Sequence, residues 1–395
     1  MIDLQSAAAI VFLISLLSFF LIKRAQFTIQ KIFGPVLYFG MYKTKLGLKS
    51  MDGLAKKFPR TIKVAGYIGV VLGFAGMILI AYSLIDSFLK LLFVESAVSQ
   101  VALVLPFKVK GGFYVPFLYW IISIFVIATI HEFAHGVVAR RYAIKIKSSG
   151  FAFLGAIVPI IPAAFVEPDE KQLAKKPKLQ QMSVYAAGPM ANIVLGIVCA
   201  LLLFALATPV ATGVVDYDGV VIKDYTPGNH TYPAEKYNLP IGDKIIGIDD
   251  YNIVSVNNFT DVLLRHAPGD QITVITHKAS FDVTLDAHPE NNSKAYMGIF
   301  LEQGSKIKDS FANLFGKWTG KFILWFLGLL YWLYLLNIGI GLFNLLPLGP
   351  IDGGRMLQQG LYAVMKKKLA DSIWKYTGLF FLLLIIVNIA FAFIR

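Results

Sequence analysis

Six stretches of the chain lack the polar residues that a soluble helix carries on its outer face. They run from Leu4 to Ile22, Val64 to Ile85, Phe113 to Ala139, Met182 to Leu206, Phe322 to Phe343 and Ile373 to Ile394. At about 1.5 Å per residue each is long enough to cross roughly 30 Å of hydrocarbon as a helix, which predicts six transmembrane spans. Between the fourth and fifth spans the period changes. Val220 to Lys223, Lys244 to Ile248, Gln271 to Thr276 and Phe281 to Leu285 read as half-buried strands, separated by Pro227-Gly228, Ile241-Gly242-Asp243 and Pro268-Gly269-Asp270 turns. Asn257 to Arg265 reads as a short helix inside this β-rich segment.

A third pattern follows the third span. Ile144-Lys145-Ile146-Lys147 alternates like a strand, and an apolar stretch from Phe151 to Phe165 contains Pro159 and Pro162, which argue against a helix. Two readings stay open for it. It dips into the membrane where protein or a watery cavity satisfies its backbone, or it lies as a hairpin on the cytoplasmic surface. The segment from Lys23 to Lys63 shows no comparable pattern and reads as Lys-rich surface loop.

Composition agrees with a polytopic membrane protein. The 395 residues are 56% hydrophobic and only 15% charged, well below the quarter or so usual in soluble domains. A net charge of +13 in a soluble protein would suggest nucleic acid, but its placement points elsewhere. Ten Lys or Arg against one acid occupy Lys23 to Lys63, and eight more lie between Arg140 and Lys178, so both loops belong in the cytoplasm. Gly213 to Ser305 holds thirteen acids and six bases, and six alternating spans place it outside the cytoplasm. The first span carries its basic flank at the C-terminal end, opposite to a cleavable signal, and reads as an uncleaved anchor. The only cysteine, Cys199, excludes an intrachain disulfide. The expected divisions are 1–112 for two spans and the basic loop, 113–212 and 306–395 for two halves of a membrane core, and 213–305 for the β-rich domain.

The chemistry sits where lipid would otherwise forbid it. No charged or His residue occurs from Gly111 through Ile130, and then His131-Glu132-Phe133-Ala134-His135 follows within the same span. Four helical steps bring His131 and His135 to one face, where both imidazoles can hold one ion, while Glu132 lies close enough to reach a water without being a ligand. A catalytic zinc site takes three protein ligands, so a third must come from elsewhere. The candidate is Asp352, within Asn344-Leu345-Leu346-Pro347-Leu348-Gly349-Pro350-Ile351-Asp352-Gly353-Gly354-Arg355 after the fifth span. Pro347 and Pro350 end that helix, and Gly353 and Gly354 leave room for close backbone approach; alone, Asp-Gly-Gly is an ordinary turn.

Taken in order, the HExxH of the third span, Gly188-Pro189-Met190-Ala191-Asn192 in the fourth, the β-rich insert and the Asn-x-x-Pro…Asp-Gly-Gly element resemble the site-2 protease family of intramembrane zinc metalloproteases. The resemblance covers about Phe113 to Lys368 and suits an archaeal or bacterial member; Ile351 stands where the family commonly has Leu. It implies one zinc per chain held by His131, His135 and Asp352, with Glu132 as general base and Asn344 holding substrate backbone. It also implies that the non-helical segment is a membrane-reentrant β element. Phe151, Ala152 and Phe153 are then the expected strand to which an unwound substrate adds. Asn192 either points toward the cavity or hydrogen-bonds between helices.

The insert resembles a PDZ domain through Leu239 to Ile248 and Ala267-Pro268-Gly269-Asp270, which implies a groove for an extended peptide, often a C-terminus. The expected partners are single-span membrane proteins, an upstream site-1-type protease and such a peptide, with no nucleic acid. A catalytically silent scaffold is the alternative, against which the intact Glu132 stands. A metal transporter would need acidic or His-rich spans along a pathway, and the chain has none.

Overall fold

The computed structural model describes residues 4–33, 37–94, 99–156, 158–226, 230–289 and 291–394. In chain order the elements of the first half are α1 (Leu4–Ile22), β1 (Phe27–Phe33), β2 (Leu37–Thr44), α2 (Leu48–Lys57), α3 (Pro59–Phe93), β3 (Leu103–Leu105), β4 (Gly112–Tyr114), α4 (Phe117–Arg141), β5 (Ile146–Ala156), β6 (Val158–Pro168), α5 (Glu170–Ala174) and α6 (Lys178–Gly213). There follow β7 (Val215–Tyr225), α7 (Pro233–Lys236), β8 (Lys244–Ile248), β9 (Tyr251–Asn252), α8 (Val256–Leu263), β10 (Gln271–Thr276), β11 (Ser280–Thr284), β12 (Asp286–His288), β13 (Asn291–Tyr296) and β14 (Ile299–Ile307). The chain ends with α9 (Asp309–Phe315), α10 (Lys317–Asn344), α11 (Asp352–Val364) and α12 (Lys367–Ile394).

Among the described residues six helices, α1, α3, α4, α6, α10 and α12, are long and apolar enough to cross a membrane. Their outer surfaces are what lipid requires and water would penalise: Val71 and Ile78 on α3 are 70% and 71% exposed, and Leu201 on α6 is 65% exposed. The protein is a multi-pass membrane protein. The third span starts later than the apolar run suggests, because Gly112–Tyr114 pairs in parallel with Leu103–Leu105 and Pro116 precedes the first helical turn. His131 therefore lies fourteen residues into α4, about 21 Å along its axis.

The chain divides into two compact units, one comprising residues 1–203 with 328–395 and the other residues 204–327. In the second, an antiparallel sheet runs β11-β10-β8-β7-β14, with β9 paired to β8. Alternation along β10 buries Ile272, Val274 and Thr276, of which Ile272 and Val274 pack with Val220, Ile245, Ile248 and Phe259 in one apolar core. Helix α8 starts at Ser255, whose hydroxyl accepts from the Asn258 amide at 3.1 Å. The Pro227-Gly228 turn lies outside the described residues.

The first unit corrects the reading of Lys23 to Lys63. That segment contains β1, β2 and α2 rather than plain loop, and its strands extend the non-helical segment into one antiparallel sheet of order β1-β2-β5-β6. The basic residues hide the pattern from the sequence. What holds the sheet to α1 is an aromatic cluster, with Phe20, Phe27 and Phe153 ring centroids 5.3–5.4 Å apart. Gly150 is needed where β5 crosses β2, since a Cβ there would lie 2.1 Å from the Tyr42 carbonyl oxygen.

This sheet also corrects the expected docking strand. Phe151, Ala152 and Phe153 pair with Tyr42, Met41 and Gly40 on one side and with Ala164, Ala163 and Pro162 on the other. With both ladders filled, no further strand can add to β5. The strand of the hairpin that lies at the sheet's margin is β6.

Candidate metal centre

Three elements bring their side chains to one point. His131 and His135 project from α4, and Asp352 opens α11 after the turn that ends α10. That turn is compressed against the start of α11. A Cβ on Gly353 would lie 2.2 Å from the Leu345 carbonyl oxygen and one on Gly354 2.1 Å from that of Leu348, so only glycine admits this approach. The Trp374 indole on α12 donates to the Gly354 carbonyl at 2.9 Å and fixes the turn from the other side.

His131 Nε2 lies 3.0 Å from Asp352 Oδ2 and 3.1 Å from His135 Nε2, which is itself 3.3 Å from the same Asp352 oxygen. A tetrahedral zinc ion with bonds of about 2.0–2.1 Å keeps neighbouring ligands roughly 3.3 Å apart. The triangle fits one such ion, and the two-imidazole, one-carboxylate donor set suits zinc. The outer nitrogens are held as a metal site needs them. The His135 Nδ1–H donates to the Val184 carbonyl at 2.7 Å, leaving Nε2 free to ligate. His131 Nδ1 meets the side-chain amide of the fully buried Asn192 at 3.1 Å.

Asn192 Oδ1 has no partner among the described residues. An imidazole that ligates through Nε2 carries its proton on Nδ1 and needs an acceptor there. Turning the Asn192 amide by 180° presents Oδ1 to that proton and pairs the two atoms. Asn192 thus takes the cavity-facing of its two expected orientations, and Gly188, read in the sequence only as part of a motif, gains a role of its own. A Cβ at this position would lie 2.4 Å from His135 Nε2 and 2.6 Å from His131 Nε2, in the space between the two ligating nitrogens. A glycine one helical turn before Asn192 in an apolar span was the available signal; the Val184 carbonyl, being backbone, leaves none.

The cluster opens into a cavity of about 530 Å³, lined also by Glu132, Asn344, Tyr185 and the charged residues Lys147, Glu167, Glu170 and Arg355. The Glu132 carboxylate accepts from the Val166 amide of β6 at 2.9 Å. Asn344 closes α10 with its side-chain Nδ2 donating to the Ile340 carbonyl at 3.0 Å. At the charged end, the Ser148 hydroxyl at 2.6 Å and the Lys43 ammonium at 3.0 Å hold the Glu167 carboxyl below the usual carboxylate range.

A membrane-length helix carrying two histidines and a glutamate, met by a carboxylate from the short helix that follows another span, defines the class: a metalloprotease whose metal centre is built into a membrane domain. The profile of peptidase family M50 matches residues 119–385, more than half of the chain, and the protein belongs to that family. It is a zinc metalloprotease. An uncharacterized protein of Methanocaldococcus jannaschii is 29% identical over 327 residues, which cover 82% of this chain and 77% of that protein. The zinc metalloprotease RasP of Oceanobacillus iheyensis is 26% identical over 271 residues, 56% of this chain and 61% of the other. Among solved structures, the PDZ domain of an SdrC-like protein from Listeria monocytogenes is 27% identical, covers 22% of this chain and 88% of its own, and has a TM-score of 0.19.

Proposed function

We propose that this protein is an intramembrane endopeptidase of the site-2 type, cutting the transmembrane segments of single-span membrane proteins. The observation that carries the reading is the convergence of His131, His135 and Asp352 within 3.3 Å of one another, with both histidines and Glu132 on a helix made for lipid. A structural zinc site has no use for the neighbouring base, which is why the scaffold alternative is set aside.

His131, His135 and Asp352 would hold the zinc. When bound, zinc supplies a Lewis acid that brings water toward ionisation at neutral pH and polarises a carbonyl. Glu132 takes the proton from the attacking water and delivers it to the leaving amine. A helical substrate hides each carbonyl in its own hydrogen-bond ladder, so the attacked segment must be unwound and its backbone paired again. The β6 margin and the Asn344 amide, on two walls of the cavity, are suited to hold it extended. The sheet is then the re-entrant element, and the basic loops put the charged mouth of the cavity on the cytoplasmic side.

The acidic balance of Gly213 to Ser305 and the alternation of six spans support a location outside the cytoplasm for the second unit, which we read as a PDZ-like peptide-binding domain. Its β14 is one of the two marginal strands of the sheet, and the Gln303 side chain ties β14 to the start of α8 by accepting from the Val256 amide at 3.0 Å. An extended peptide C-terminus adding there would let the domain sense substrates already shortened by another protease.

The test is co-reconstitution in liposomes with candidate single-span substrates. Cleavage should vanish on chelation, return with zinc, and leave new termini inside the span. Cleavage indifferent to chelation, or confined to loops, would reject the reading. A second expectation concerns Asn192. Replacing it with Leu removes the acceptor for the His131 Nδ1–H and should weaken zinc binding about 10- to 100-fold in chelator competition, whereas Asn192→Asp, which keeps an acceptor, should recover most of the loss. Equal zinc affinity in wild type and Asn192→Leu would reduce Asn192 to helix packing.

A further inference from the structure

The hydrogen-bonding pattern of β6 limits what can pair with it. Between Pro162 and Glu167 its register with β5 is regular, with Ala163, Phe165 and Glu167 facing Ala152, Gly150 and Ser148. In an antiparallel ladder the N–H and C=O of one residue point to the same side and those of the next to the other. The Val166 amide reaches Glu132, so Val166 belongs to the outward set, and Ala164 and Pro162 share it by alternation. Pro162 and Pro168 have no N–H to offer. The outward margin between them therefore holds two amide donors, Ala164 and Val166. Glu132 occupies the second.

Resting on the reading of this site as the place where an extended substrate docks, we propose that Glu132 and the substrate strand compete for the Val166 amide. In the free enzyme the carboxylate is held on the β6 margin. A substrate strand that pairs with Ala164 and Val166 brings its own carbonyl to the Val166 N–H, and Glu132 is released into the cavity beside His131 as the peptide arrives. Strand docking and availability of the base become one event. The two flanking prolines confine pairing to a two-donor window, which fixes the register of the substrate over the centre and discourages other strands from adding to the sheet.

Competition of this kind is a linkage between two binding events and is read without catalysis. The probe is a fluorescently labelled peptide of an apolar, glycine-containing span, titrated in detergent micelles against zinc-free protein. Glu132→Ala removes the competitor and should tighten peptide binding about 3- to 10-fold, the net value of one hydrogen bond after exchange with water. Val166→Pro deletes only an outward N–H, as the neighbouring prolines already do, and spares the ladder to β5. In that background Glu132→Ala should change affinity less than about 2-fold. In an Ala164→Pro background, where the contested amide remains, the full tightening should persist.

Hydrogen exchange across β6 reports whether each variant keeps the strand paired to β5. Unchanged or weaker binding in Glu132→Ala, an equal gain in both backgrounds, or no binding of the peptide to any form would each overturn the competition. Cleavage by the zinc-loaded wild type, measured in parallel, carries the protease reading independently of all three.

Discussion

Gly188→Ala is expected to yield protein with unchanged helix content, almost no zinc and no proteolysis. Glycine costs a helix interior about 1 kcal/mol relative to alanine, so on propensity alone the substitution favours α6. The added methyl instead lands 2.4 Å from His135 Nε2 and 2.6 Å from His131 Nε2. Neither imidazole can retreat without giving up its outer bond, His135 to the Val184 carbonyl and His131 to Asn192. Zinc affinity should therefore fall more than about 100-fold, beyond the 10- to 100-fold typical of losing an outer-shell partner. Gly213→Ala is the matching control on the same helix, because a Cβ there meets nothing within 4 Å. Zinc content by elemental analysis decides; a Gly188→Ala protein that binds one zinc per chain with wild-type affinity would remove the residue from the site.

What could be read in the chain followed from what each signal depends on. The spans were legible because lipid demands apolar residues on every face, a condition that leaves a continuous run. Strands β8 and β10 were legible at Lys244–Ile248 and Gln271–Thr276 because a half-buried sheet writes a period of two between glycine and proline turns. The strands from Phe27 to Thr44 were not. They carry aromatic residues together with Lys31 and Lys43, so neither alternation nor a continuous apolar run emerges, and the packing of Phe27 on Phe153 joins residues far apart in sequence.

The site divides in the same way. His131, Glu132 and His135 share one helix, and their spacing alone states their relation. Asp352 stands 221 residues from His131, and only the closure of the turn around Gly353 and Gly354 brings its carboxylate to 3.0 Å. The choice between β5 and β6 as a docking strand depended on the partner of the other ladder edge, which is β2. A segment whose own strands were illegible could not reveal that it had already filled that edge.

Glu132→Gln should lower turnover roughly 10²- to 10⁴-fold, the usual worth of a positioned general base, while leaving zinc content at the wild-type level. The amide is close to isosteric with the carboxylate, and its oxygen can still accept from the Val166 N–H, so the resting arrangement at 2.9 Å survives the substitution. What it cannot do is take a proton. Asp352→Asn provides the contrast: there a ligand oxygen lying 3.0 Å and 3.3 Å from the two imidazole nitrogens loses its charge, and zinc and activity should decline together. The pair of variants separates holding the metal from using the water. Steady-state cleavage in liposomes with zinc quantified in the same samples is the measurement, and a zinc-replete Glu132→Gln enzyme that turns over at the wild-type rate would assign the base to another residue.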